Sequence, residues 1–167
     1  MQTIRGRAWK FGHNINTDLI VPARFLHLPY EELGPHALAG VDPDFANKVK
    51  PGDLVVAGDN FGGGSSREAA PIALKRAGVG AVIATYFARI FFRNAINVGL
   101  AVLECPQARR IREGDELEVE VLAGTIRNLT CGETYEATKF PREVLAIVEA
   151  GGLLPYLRQT LGVPPRE

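Results

Sequence analysis

Residues 54–84 have the sequence LVVAGDNFGGGSSREAAPIALKRAGVGAVIA, which contains the clearest secondary-structure signals of the chain. It begins with the apolar run 54–57 and ends with a second run at 81–84, both short and continuous enough for buried strands. Between them lie the densest glycine region of the chain and a helical repeat of apolar residues over 69–77, which Gly78 ends. A strand, a glycine-rich loop, a helix and a second strand predict an α/β layer with parallel pairing.

The same alternation continues on both sides of this stretch. We predict a first strand over 3–10, a helix over 87–97 and a further short strand over 100–103, with Gly99 able to cap the helix. One face of that helix is expected to carry Phe87, Ile90, Phe91 and Ala95. A short helix is also predicted at 31–39, within an otherwise irregular, proline-rich stretch.

The last third of the chain has a different pattern. Polar and apolar residues alternate over 115–121, which predicts a half-exposed strand, and 125–130 and 134–137 continue a meander. The remaining elements are an amphipathic helix at 141–150, a final helix at 153–161 and a frayed tail at 162–167. With 167 residues, we expect a single domain over 1–167.

Composition excludes several classes of protein. The chain has 19 basic and 19 acidic side chains and is 46% hydrophobic, which argues against disorder and against general binding of nucleic acid. No apolar run approaches the roughly 18 residues of a membrane span, so no membrane partner is expected. The first residues lack the apolar core of a signal peptide, which favours a cytoplasmic location.

Metal ligation by this chain is not expected. Cys105 and Cys131 are isolated, and neither belongs to a CxxC pair or a Cys/His cluster. We interpret both as small apolar residues in a reducing compartment. His13, His27 and His36 share no ligand spacing.

The glycine-rich loop indicates an anion site. Glycines allow the backbone to approach a ligand, and the helix that follows offers unpaired N–H donors and the positive end of its dipole. The loop fails the Walker A pattern because no lysine follows Gly64, and it fails the GxGxxG pattern because Arg67 occupies the third position. Nucleotide binding is therefore disfavoured.

Two interpretations of Ser65 and Glu68 stay open. They fit a capping box at the start of the helix, but Pro71 would then remove a hydrogen bond in the second turn. If the helix begins later, Ser65, Ser66 and Arg67 remain in the loop and can meet a ligand. A cation beside the positive end of a helix is unfavourable unless an anion joins it, so this arrangement suggests a carboxylate or phosphate site.

Several segments together resemble a known family. The sequences NTDLIVPARF at 16–25, KPGD at 50–53, NFGGGSSRE at 60–68, YFARIFFRN at 86–94 and NVGL at 97–100 carry the resemblance. They resemble the small subunits of 3-isopropylmalate dehydratase and the closely similar homoaconitase small subunits, which look like the swivelling domain of aconitase expressed as a separate chain. The resemblance covers nearly all of residues 5–105, and little family signal is visible after Arg110. It implies β/β/α layers with a mixed, partly parallel sheet.

The resemblance also implies a reaction. Enzymes of this family move a hydroxyl between adjacent carbons of a malate-type acid by dehydration and rehydration, and are active only with a large subunit that holds a 4Fe–4S cluster. The expected cofactor of this chain is therefore none, with the cluster on a large iron–sulfur partner in a heterodimer or heterotetramer. By motif match, Ser65 is the base, acting as an alkoxide, Ser66 and Gly64 support the site, and Arg67 clamps a carboxylate of the di- or tricarboxylate substrate. Arg24 carries over as a second carboxylate contact.

Substrate choice is expected to depend on a specificity loop after the Pro-x-Arg unit. This loop consists of Phe25, Leu26, His27 and Leu28. The two leucines favour the isopropyl group of isopropylmalate, an intermediate of leucine biosynthesis, whereas a protonated His27 could pair with the extra carboxylate of a homoaconitase substrate. The alternatives left open are a homoaconitase small subunit of lysine biosynthesis and a non-catalytic anion-binding assembly module.

Overall fold

The computed structural model describes residues 3–162 of the chain. The two predicted buried strands are confirmed as β2 (Leu54–Ala57) and β3 (Ala81–Ala84), and the predicted short strand after Gly99 as β4 (Ala101–Glu104). They pair in parallel, β2 with β3 and β3 with β4. Every residue of β2 and β3 is buried, which explains their continuous apolar runs.

The first strand joins a parallel and an antiparallel region in one sheet. In β1 (Thr3–Lys10), residues 8–10 pair in parallel with β2, whereas residues 3–7 pair antiparallel with β5 (Glu116–Glu120). The antiparallel region continues through β6 (Thr125–Asn128) and β7 (Thr134–Glu136). The strand order is β4-β3-β2-β1-β5-β6-β7, and the expected mixed, partly parallel sheet is confirmed.

Alternate residues of the parallel strands contribute to two separate hydrophobic cores. Val55, Val82 and Val102 pack with the apolar residues of the helices that follow β2 and β3. Their neighbours along the strands pack against the antiparallel region, in a cluster that includes Leu54, Ile83, Leu103, Leu117, Ile126 and Tyr135. The parallel strands thus lie between a helical layer and a second β layer, as the β/β/α expectation requires.

The described residues contain six α-helices. They are α1 (Thr17–Ile20), α2 (Phe45–Lys48), α3 (Ala69–Arg76), α4 (Arg89–Asn97), α5 (Arg142–Glu149) and α6 (Leu153–Leu161). The helices α3 to α6 confirm the four predicted from periodicity. Gly99 follows α4 with φ +83°, a left-handed conformation that suits glycine and allows the chain to turn into β4.

The predicted short helix at 31–39 is wrong. Two 3₁₀ turns, Tyr30–Glu32 and Gly34–His36, take its place. A continued helix is prevented because the N–H of Leu38 bonds to the carbonyl of Ile20 at 2.8 Å instead of to its own segment. Further 3₁₀ turns cover Ala23–Phe25 and Pro106–Arg110.

Two side-chain expectations are also wrong. Ile90 does not share the buried face of Phe91 and Ala95, since 53% of it is exposed. Cys131 is exposed in the β6–β7 turn, whereas Cys105 is fully buried and burial raises the pKa of its thiol. Only Cys105 therefore behaves as the expected small apolar residue.

Within the described part of the chain, no helix has the length and apolar character needed to cross a bilayer. The single domain over 1–167 stays a prediction. Of the predicted frayed tail at 162–167, residues 163–167 lie outside the described residues.

Candidate active site

A pocket of about 250 Å³ opens where the loops after β2 and β3 meet helix α4. The two loops are joined by backbone hydrogen bonds from Phe61 to the carbonyl of Tyr86 (3.1 Å) and from Ala88 to the carbonyl of Phe61 (3.0 Å). The residues that line the pocket are Thr17, Gly62, Gly64, Ser65, Ser66, Arg67, Ala88, Arg89, Ile90, Phe91 and Asn94. The pocket thus lies at the carboxyl ends of parallel strands, the usual place for a ligand in an α/β sheet.

Close backbone approach requires glycine in this loop. Gly62 has φ +83°, and a Cβ atom at this position would lie 2.2 Å from Cγ of Phe91. Its N–H donates to the carbonyl of Ile15 at 2.7 Å, which ties the loop to the segment before α1. The glycines therefore allow the loop to pack directly on α4 and to bring the residues of both to one pocket.

Thr17 fixes the far side of the loop. It is 3% exposed, its N–H donates to the carbonyl of Gly63 (2.9 Å), and its hydroxyl donates to the carbonyl of Ser65 (2.9 Å). Two hydrogen bonds from one buried residue thus hold the loop at Gly63 and at Ser65, the first residue of the serine pair. Thr17 therefore belongs to the site as a supporting residue.

Ser65 and Ser66 are the two serines of the whole chain, and both are exposed in the loop. Helix α3 begins four residues after Ser65, and Glu68 at its N-cap makes no side-chain cap bond. The capping-box interpretation is therefore wrong, and the alternative of a later helix start is confirmed. Neither serine hydroxyl makes a hydrogen bond to any residue between Thr3 and Gly162, so both are available to a ligand.

Arg67 projects into the pocket with one side of its guanidinium already occupied. Nη1 donates to the carbonyl of Val21 at 3.2 Å and lies 3.5 Å from the Asp18 carboxylate. Asp18 supplies part of the compensating negative charge that the sequence argument assigned to a ligand alone. Nε and Nη2 make no hydrogen bond within residues 3–162, which leaves three N–H donors for a bidentate carboxylate contact.

Arg24 and the predicted specificity loop do not line the pocket. Arg24 is exposed, and its guanidinium lies over the Phe25 ring, 4.6 Å from the ring centre. Leu26 and His27 are exposed and Leu28 is half-buried. This segment adjoins the pocket because Val21, three residues before Arg24, accepts the bond from Arg67. The predicted roles of these residues stay predictions.

Sequence reasoning missed the contributions of Thr17, Arg89 and Asn94. Arg89 lines the pocket while bonding to the carboxylate of Glu104 and to the carbonyl of Phe87 (3.0 Å). Asn94 lies one turn after Ile90 on α4, and both residues line the pocket. All three occur in the segments that carry the family resemblance, which was the signal available for them.

Potential metal ligands are not grouped together in the part of the chain that the structure describes. Within 3–162 there is no group of three or more His, Cys, Asp or Glu side chains placed to hold one. Cys105 follows β4 and Cys131 lies in the β6–β7 turn, so the two thiols belong to separate parts of the fold. What this chain contributes to the pocket is hydroxyls, guanidinium groups and backbone N–H donors.

Comparison with known proteins identifies the family to which this chain belongs. The family model of the aconitase C-terminal domain matches residues 29–108. A 3-isopropylmalate dehydratase small subunit of Methanosarcina acetivorans is 56% identical over 157 residues, covering 93% of this chain and 97% of the relative. The chain belongs to the 3-isopropylmalate dehydratase small-subunit family.

Other family members agree in sequence and structure. The isopropylmalate/citramalate isomerase small subunit of Methanocaldococcus jannaschii is 55% identical over 160 residues, 95% of each chain. A crystal structure of 3-isopropylmalate dehydratase from the same organism matches with a TM-score of 0.91 and 43% identity, covering 97% of both chains. Similarity to the family thus extends well beyond Arg110, where the sequence motifs had given little signal.

Proposed function

We propose that this chain is the small subunit of a heteromeric hydro-lyase that interconverts 2-isopropylmalate and 3-isopropylmalate in leucine biosynthesis. The observation that carries the proposal is the pocket, which places two free serine hydroxyls beside a partly satisfied arginine. Relatives more than 50% identical over nearly the whole chain are named as small subunits of this enzyme. A cytoplasmic location is part of the same proposal.

The partner in this proposal is a large subunit that holds a 4Fe–4S cluster. When bound, the cluster supplies the Lewis acid that makes the substrate hydroxyl a better leaving group. The hydroxyls and guanidinium groups that line the pocket suit a subunit that handles the proton and the carboxylates. The small-subunit names of the relatives support a heteromeric enzyme.

Ser65 is proposed as the base that removes the proton next to a substrate carboxylate. A serine hydroxyl is a very weak acid, so its alkoxide needs strong electrostatic stabilisation. The nearby Arg67 guanidinium and the N-terminal end of α3 supply positive potential on the same loop. The hydroxyl of Thr17 holds the Ser65 carbonyl, which keeps the base in position for proton transfer.

The neighbouring residues bind and orient the substrate in this mechanism. Ser66 donates a hydrogen bond beside the base, and Gly64, with φ +90°, keeps the backbone open at the pocket mouth. Arg67 binds one carboxylate through its free Nε and Nη2 donors. Arg24 binds a second carboxylate from the adjoining segment.

The isopropyl substituent is the favoured variable group. Leu26 is 39% exposed in the specificity loop, where an apolar side chain suits an apolar substituent. The name of one 55% identical relative includes citramalate, which carries a smaller apolar group at that position, and this favours citramalate as a second substrate. The names of the relatives favour isopropylmalate over homocitrate.

Reconstitution tests the proposal. The chain is mixed with an iron–sulfur large subunit and assayed on isopropylmalate, citramalate and homoisocitrate in parallel. We expect turnover of isopropylmalate by the complex and none by either subunit alone. Activity on homoisocitrate alone would refute the substrate assignment.

The Ser65→Ala variant tests the base in the same complex. We expect turnover to fall about 10²–10⁴-fold, the usual contribution of general base catalysis. Thr134→Ala, which removes an exposed hydroxyl from β7, is the matched control and should leave turnover unchanged. A loss of only a few-fold in Ser65→Ala would refute the assignment of the base.

A further inference from the structure

Arg24 has a single point of support in the described structure. Within residues 3–162 its guanidinium makes no hydrogen bond and no ion pair, and its recorded contact is with the Phe25 ring at 4.6 Å. The backbone beside it is held, because the N–H of Ala23 donates to the Asp18 carboxylate at 3.2 Å. The direction in which Arg24 points is thus set by the plane of the Phe25 ring.

The other face of that ring lies on His36. The imidazole and phenyl rings are 3.9 Å apart between centres and only 11° from parallel, a stacked pair. The Arg24 guanidinium and the His36 imidazole both lie too close to the centre of the phenyl ring to share one of its faces without a clash. Each therefore occupies one face of the ring. Arg24, Phe25 and His36 therefore form a three-layer stack of guanidinium, phenyl and imidazole.

The last layer of this stack belongs to a segment that packs against the end of α3 and bonds to α1. His36 ends the 3₁₀ turn Gly34–His36, and a Cβ atom on Gly34 would lie 3.0 Å from the backbone of Arg76 at the end of α3. The chain beyond it is fixed by the bond from Leu38 to the carbonyl of Ile20. His36 is thus anchored both to the helix that follows the serine loop and to α1.

We propose that His36 is a positioning residue that orients Arg24 for substrate binding through the ring of Phe25. The inference rests on the proposed function, since it assumes that Arg24 binds a carboxylate of isopropylmalate. A long, exposed side chain loses much conformational freedom when it binds, and a stack that restricts it beforehand lowers that cost. His36 therefore acts on the affinity for substrate and not on the proton transfer at Ser65.

The first test uses the complex with the large subunit and a cycle of variants. His36→Ala should raise the KM for isopropylmalate about 3- to 10-fold with kcat nearly unchanged, because one aromatic stack is lost. His36→Phe keeps a flat ring on Phe25 and should stay within about twofold of wild type. Glu32→Ala, an exposed change in the neighbouring 3₁₀ turn, is the control and should have no effect.

The double variant separates positioning from a general structural effect. In an Arg24→Ala background, His36→Ala should change KM no further, because nothing remains to be oriented. If His36→Ala leaves KM unchanged, or raises it equally in both backgrounds, the inference is overturned. If the wild-type complex does not turn over isopropylmalate at all, the proposed function itself fails.

A second measurement on the free chain tests the stack directly. Carbon-bound protons of an imidazole that lies over a phenyl ring are shifted upfield in the NMR spectrum by the ring current. We expect this shift for His36 in the wild type and its loss in Phe25→Leu. An unshifted His36 in the wild-type spectrum would overturn the inference whatever the kinetics show.

Discussion

The contact between Gly62 and Phe91 can be tested by adding one carbon atom. In Gly62→Ala the new Cβ would lie 2.2 Å from Cγ of Phe91, far inside van der Waals contact, and the residue would keep a φ of +83°. The left-handed backbone costs about 1–2 kcal/mol for a residue with a side chain. Forcing a carbon into a packed core costs about a further 1–3 kcal/mol, so the free energy of unfolding should fall by about 2–5 kcal/mol.

A second glycine separates the two contributions. Gly132 in the β6–β7 turn has φ +81°, but a Cβ there would meet nothing within 4 Å. Gly132→Ala should therefore lower the free energy of unfolding only by the cost of the left-handed backbone, about 1–2 kcal/mol. The entropy that alanine removes from the unfolded chain is the same in both variants and cancels in the comparison.

Urea unfolding provides the assay. The chain has one tryptophan, Trp9, which is 7% exposed, so its fluorescence reports the loss of the fold. Gly62→Ala should unfold at a lower urea midpoint than Gly132→Ala. Phe91→Leu should lower the free energy of unfolding by less in the Gly62→Ala background than in the wild type. Equal free energies of unfolding for the two alanine variants would show that α4 does not pack on the glycine-rich loop as described.

Three further outcomes are expected from individual side chains. In native protein, Cys131 should react with a thiol reagent at pH 8 while Cys105 stays unmodified, because Cys131 is exposed and burial raises the pKa of the Cys105 thiol. Mass spectrometry should count one label on the native protein and two labels only in denaturant. Arg67→Lys in the reconstituted complex should lower kcat/KM about 10- to 100-fold, because lysine keeps the charge but loses the bidentate geometry; unchanged kinetics would contradict the carboxylate clamp. Asp18→Asn keeps an oxygen that can accept from the N–H of Ala23 but removes the negative charge 3.5 Å from Arg67. The KM for the anionic substrate should therefore fall about two- to fivefold at low salt. A large rise in KM would instead show that the Asp18 carboxylate itself takes part in substrate binding.

The strands β2, β3 and β4 and the helices α3 to α6 could be predicted because their signals are local. A buried parallel strand needs a short apolar run, and a helix needs periodicity with a glycine after it. Gly78 and Gly99 supply such stops, both with positive φ. These features stand in the sequence itself, without reference to the rest of the fold.

Elements decided by contacts between distant segments could not be predicted in the same way. Residues 31–39 have a helix-like pattern, but Leu38 bonds to Ile20, 18 positions earlier, and two 3₁₀ turns result. Periodicity placed Ile90 on a buried face, yet it forms part of the pocket wall, because the docking of α4 on the glycine loop fixes which residues face that loop. The supporting role of Thr17 depends on its bonds to Gly63 and Ser65, which no local pattern predicts.

The exposure of the serine pair gives a physical reason, independent of the relatives' names, for expecting the free chain to be inactive. Ser65 and Ser66 lie in contact with solvent, and 53% of the apolar Ile90 on the pocket wall is also exposed. Positive potential from Arg67 and α3 is strongly weakened by bulk water, so an alkoxide at Ser65 would gain little from it in the free chain. The same donors act far more strongly once water is excluded from the pocket. A base of this kind therefore becomes effective only when another surface covers the pocket, which is the place that the proposed large subunit has to occupy.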